Sequence, residues 1–184
     1  LTTAEAGRHC ETKPPAPWAV QRSMELAERT RQALDASGAQ VVLLARAGQD
    51  LSRYGLQWSH LGWAYRDEGG WRVLHKLNAC GSPNAAIYRQ GLGEFFLDDL
   101  HDYKAGLVVP HPAVQARLLA ALRDNTQATR LHSGAYSMVA YPWSQRYQQS
   151  NQWALETLAM AAEPGVTSRA QAQAWLGFKG YQPS

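Results

Sequence analysis

With 184 residues, of which 45% are hydrophobic and 18% charged, the chain has the size and composition of one domain that buries an apolar core without staples. Its net charge of +3 comes from dispersed Lys and Arg rather than from a block, so no electrostatic case for nucleic-acid binding arises. No apolar run approaches the roughly 18 to 20 residues that span a bilayer.

Residues 1–17 are polar and end in Lys13, Pro14, Pro15, Ala16 and Pro17, which predicts an extended arm that turns into helix at its last proline. The rest, 18–184, reads as a single α+β domain. Val20, Met24, Ala27 and Leu34 recur at helical spacing between Trp18 and Ala36, and Ser37-Gly38 stops that helix. Val41 to Leu44 is a short apolar run suited to a buried strand. Two strands follow, from Ser59 to Arg66 and from Trp71 to Asn78, and Asp67-Glu68-Gly69-Gly70 between them reads as a hairpin turn. Further strands are expected at Ala86 to Gln90, Gly106 to Val109 and Tyr136 to Tyr141. Helices are expected from Pro112 to about Arg123 and from about Ser150 to Ala162. A last helix starts at a capping box made by Ser168 and Gln171 and ends near Gly177. The sum is an antiparallel sheet packed against helices.

The hairpin carries the first candidate for chemistry. Strand alternation puts Leu61, Trp63 and Tyr65 on one face and His60, Gly62 and Ala64 on the other. A histidine among small side chains leaves room for another backbone to approach its imidazole, as a general base requires; a strand histidine bonded to a neighbouring carbonyl is the plain alternative. On the partner strand, His75 is the polar member of a set with Trp71, Val73 and Leu77. It is a candidate to orient His60, and equally a core histidine bonded to backbone. Gln57 and Asn78 are further candidates for the orienting role. No His, Asp or Glu pair has a recognisable ligand spacing, so neither a metal nor another cofactor is expected.

The nucleophile is harder to place. Tyr147 to Trp153 enters a helix, and a hydroxyl at its N-terminus would meet free amides and the positive end of the dipole. Ser150 and Asn151 are also ordinary capping residues, and no G-x-S-x-G elbow surrounds Ser150. Cys10 and Cys80 are the two cysteines; a bridge tying the arm to the sheet and a pair of buried thiols fit the count equally well. A first residue of Leu1 rather than Met is compatible with removal of a signal peptide.

Four phrases together resemble one bacterial family. They are Ser59-His60-Leu61-Gly62-Trp63-Ala64-Tyr65-Arg66; His75-Lys76-Leu77-Asn78; Tyr88-Arg89-Gln90-Gly91-Leu92 with Phe95-Phe96; and Pro142-Trp143-Ser144 through Tyr147-Gln148-Gln149-Ser150-Asn151-Gln152-Trp153. The family is the domain of unknown function 2145. This resemblance implies an exported, periplasmic protein. A more distant likeness is to circularly permuted papain-like amidases of the NlpC type. In these a strand His comes first, a polar residue follows on the next strand, and a Tyr/Asn-Cys segment opens a late helix. It implies a papain-like architecture and a hydrolase-type site for an amide or ester bond, such as one in cell-wall peptide. His60 would be the base, His75 the orienter and Ser150 the nucleophile in place of cysteine. The alternative is a binding domain that has lost the cysteine and holds a peptide, a glycan or a periplasmic protein in a groove rimmed by Trp63, Tyr147, Asn151 and Trp153.

Overall fold

The computed structural model describes residues 14–79 and 81–183. Helix α1 (Pro17–Ala36) leads into strand β1 (Val41–Ala47), and a 3-10 turn at Ser52–Tyr54 precedes β2 (His60–Asp67). Strands β3 (Gly70–Asn78) and β4 (Ala85–Gly91), the short helix α2 (Leu92–Phe96) and β5 (Asp102–Val108) follow. The chain then becomes helical: α3 (Pro112–Arg123), α4 (Asn125–Ala128), α5 (Ser150–Ala162) and α6 (Arg169–Phe178).

The five strands form one sheet in the order β4-β3-β2-β1-β5, and every neighbouring pair is antiparallel. Only the step from β4 to β5 crosses the sheet, and α2 lies in that connection. The fold is therefore α+β, an antiparallel sheet packed against helices, as the strand and helix patterns led one to expect.

Both faces of the sheet are covered. Leu26, Ala27 and Leu34 of α1 and Leu92, Phe95 and Phe96 of α2 pack on Val42, Leu44, Ala64 and Val73. On the opposite face Leu118 and Leu122 of α3 and Trp153 and Ala154 of α5 pack on Val41, Trp63, Tyr65 and Leu74. Burial on both sides explains why β1 reads as a continuous apolar run. A third cluster joins α5 to α6 through Ala159, Ala172 and Leu176. No helix among the described residues is long and apolar enough to cross a membrane.

The β2–β3 hairpin turns at Glu68-Gly69, with Asp67 paired to Gly70. Gly70 adopts φ 114°, a conformation that side chains other than glycine's resist. The capping box at the start of α6 forms, the Ser168 hydroxyl accepting from the Gln171 amide.

Three expectations need correction. Tyr136 to Tyr141 is not a strand: only Ala135 bridges to Asn84, and Met138, Val139 and Tyr141 are exposed. Those apolar residues have no layer to bury against, and pattern alone does not supply one. The strand expected from Gly106 begins four residues earlier, at Asp102, and α2 carries no helical period long enough to be noticed in the sequence. Trp63 and Trp153 are core residues at 1% and 0% exposure rather than the rim of a groove, because β2 and α5 pack face to face there.

Candidate active site

His60 opens β2 and sits across from Arg46 of β1. Its face is the one shared with Ala64, toward α1 and α2, and its ring lies 5.9 Å from that of Phe95. Gly62 explains how the ring fits. A Cβ built there would meet Val73 Cγ1 at 2.7 Å, His75 Cβ at 3.1 Å and Phe95 Cε2 at 3.2 Å. No larger residue can stand between His60 and the neighbouring strand without displacing them.

His60 Nε2 and His75 Nδ1 are 2.8 Å apart. His75 Nε2 in turn lies 2.7 Å from Oε1 of Gln90, on β4. Gln90 pairs with Val73, so it reaches His75 diagonally, two residues along the strand. His75 is wholly buried, whereas His60 keeps 9% exposure. Burial holds His75 down at about 4, with the Arg46 charge pushing the same way and the Gln90 bond and Asp98 opposing.

Arg46 stacks over Phe95 with its guanidinium carbon 4.8 Å from the ring centre, donates to the Phe95 carbonyl, and pairs with Asp98 at 2.6 Å. This ion pair and the aromatic ring wall the imidazoles on the side of α2. Arg46, Gln90, Phe95 and Asp98 escape recognition from sequence because they come from three separate segments. Arg46 alone offers a signal, as the one charged residue of β1.

The start of α5 meets the start of β2. Asn151 Oδ1 accepts from the Leu61 amide at 2.9 Å, and Asn151 Nδ2 donates to the Ser59 carbonyl at 3.3 Å, so one side chain holds the backbone on both sides of His60. The paired register of β2 with β3 runs only from Asp67 to Trp63; beyond it, Asn151 supplies the partner that Leu61 needs. The helix cap is Gln149, which makes no side-chain cap bond. Ser150 and Asn151 therefore lie inside the first turn, and capping does not account for either. Ser150 is buried near Tyr136, whose pKa burial raises.

His60 and His75 are thus in direct contact, Asn151 holds the chain on either side of His60, and Ser150 adjoins Asn151 in the same helical turn. Tyr147 lies outside this cluster, half-buried under Arg146, whose guanidinium carbon is 5.1 Å from its ring centre. Asn78 ends β3 paired to Ala85, and Gln57 lines a groove of about 460 Å³ with Trp58, Arg29, Tyr103 and Lys104, so neither orients His60. Cys10 and Cys80 lie outside the described residues. Among the described residues no group of three or more His, Cys, Asp or Glu side chains is placed to hold a metal ion.

No curated protein and no solved structure matches this chain. A family model does match, over residues 33–184, and its description is that of an uncharacterised protein conserved in bacteria. That span takes in the end of α1, the whole sheet and every residue of the His60 cluster. The chain belongs to the bacterial domain of unknown function 2145 family.

Proposed function

We propose that this protein carries a papain-like, hydrolase-type site for an amide or ester bond. His60 is the general base, His75 its orienting partner, and Ser150 at the start of α5 the nucleophile. The observation that carries this reading is the Asn151 clamp. It fixes the first turn of a 13-residue helix against the residues on either side of the histidine that shares a 2.8 Å bond with His75.

On this reading the chemistry is that of a serine acyl-transfer site. His60 takes the Ser150 proton as Oγ attacks the carbonyl carbon, and the first-turn amides of α5 and its positive dipole end stabilise the developing oxyanion. His60 then returns the proton to the leaving amine or alcohol, and a water deprotonated by His60 releases the acyl group. A serine hydroxyl is a weaker nucleophile than a thiolate and depends more heavily on the base. Cell-wall peptide is the substrate class that the papain-like likeness suggests, and the periplasm is the compartment that suits it.

The test compares wild type, Ser150→Ala, His60→Ala and Ser150→Cys on ester and peptide panels that include cell-wall peptides. Wild-type turnover should fall by about 10²-fold or more in the two alanine variants. Equal turnover in wild type and both alanine variants would defeat the assignment. Ser150→Cys should react rapidly with iodoacetamide at mildly acidic pH, and that reactivity should vanish when His60→Ala is added. Turnover seen only with Ser150→Cys would identify a site that keeps its geometry without a competent nucleophile of its own.

A further inference from the structure

Gln90 stands at the far end of the two-histidine chain, on the edge strand β4, where only its contact with His75 connects it to the site. We propose that Gln90 is a positioning residue that fixes the tautomers of both imidazoles and so makes Nδ1 of His60 the basic atom. The inference deepens the hydrolase reading and rests on it for its functional meaning.

The argument is a count of hydrogens. An amide oxygen only accepts, so His75 Nε2, 2.7 Å from Gln90 Oε1, must carry a hydrogen. A neutral imidazole has one N–H, which leaves His75 Nδ1 as an acceptor. The hydrogen in the 2.8 Å bond therefore belongs to His60 Nε2. By the same count, Nδ1 of a neutral His60 holds a lone pair, and any group that pairs with it must donate. A nucleophile's O–H or S–H is such a donor.

The count requires His75 to stay neutral, and its surroundings enforce that. It is wholly buried, and among the described residues the charged groups facing the pair are Arg46 from β1 and Asp98 from the segment after α2. The first turn of α5 brings no charged side chain, and Lys76, next to His75 in β3, points through the opposite face toward Gln148. Protonating His75 would reverse the chain, because its Nδ1 would then donate to His60 Nε2 and push the hydrogen onto Nδ1. A base held in the wrong tautomer by its orienting partner loses catalysis in the triad in which an amide replaces a carboxylate.

Histidine-labelled ¹⁵N NMR on the resting protein near neutral pH reads the tautomers directly, without substrate. Both rings should carry hydrogen on Nε2. Gln90→Leu should turn that single pattern into a mixture and lower kcat with little change in KM. Gln90→Glu should restore Nε2–H at His75 and move its titration upward. Hydrogen on Nδ1 of His60 in the wild type, or an unchanged single tautomer in Gln90→Leu, overturns the proposal. If the tautomers behave as stated while His60→Ala leaves turnover intact, the hydrolase reading fails and the role of Gln90 stands.

Discussion

His75 and Lys76 are adjacent in β3 and point through opposite faces of the sheet into two different buried polar clusters. On the face toward α2, His75 is neutral, its bonds lead to His60, and His60 keeps a sliver of exposure beside the start of α5. On the face toward α5, Lys76 donates to the Ser133 carbonyl at 2.7 Å and to Gln148 Oε1 at 2.8 Å. Gln148 then donates to Glu156, which is wholly buried and bonded by Arg169 at 2.8 Å and by Gln173 at 2.8 Å. The second cluster is the richer in hydrogen bonds and charges, yet its carboxylate is wholly buried and its most exposed member, Arg169, is taken up in bonds to Glu156 and to the Ser144 and Tyr147 carbonyls. Full charges taken out of water need one another to offset desolvation, so they lock segments together; neutral imidazoles can be buried at lower cost and still pass a proton. A dense buried network is thus a poor guide to chemistry when its members are charges locked to one another.

That contrast can be broken in graded ways. The largest effect is expected for Glu156→Ala, which leaves Arg169 facing a void. Removing one partner of a buried ion pair costs about 3 to 5 kcal/mol, measurable by urea unfolding. A loss under about 1 kcal/mol would mean that the Glu156 cluster is not what ties α5 to α6. Next comes Gly62→Ala on the other face. Its methyl must displace Val73 and His75, costing about 1 to 3 kcal/mol and lowering any His60-dependent turnover together with stability. Wild-type stability and turnover in Gly62→Ala would show that the close contact leaves slack.

Effects on pH dependence separate the two clusters cleanly. Burial, assisted by the Arg169 charge, holds Lys76 at about 7 against an ordinary 10.5. The unfolded chain therefore binds the extra proton between those values, and stability rises with pH from about 7 to 10.5. Lys76→Met should flatten that rise. His75, at about 4 against 6.5, gives a second rise between about 4 and 6.5, which His75→Asn should remove while leaving the Lys76 rise in place. Unfolding midpoints across pH decide it; loss of both rises in one variant would show the two faces to be coupled.

Much of the site's first half could be read from residue order. The alternation Leu61, Trp63, Tyr65 against His60, Gly62, Ala64 needs only the twofold period of a strand, and the hairpin turn brings β3 alongside. His75 as a polar member of an apolar set was visible for the same reason. The second half was not, because it depends on contacts distant in sequence. Asn151 looks like a cap by type, and only the placement of Gln149 as the actual cap frees it to hold Ser59 and Leu61. Trp63 and Trp153 look like groove residues by type, and packing of α5 on β2 turns them into core.

What the chain's own order determined is the α+β layout, the hairpin and the face on which His60 stands, since backbone period and turn chemistry act over a few residues. What tertiary structure decided is which buried groups meet: the diagonal reach of Gln90 to His75, the Arg46–Asp98 wall, and the helix start clamped at His60. Those contacts join residues up to 92 positions apart, and such pairs form only when the sheet has chosen its order and the helices their faces.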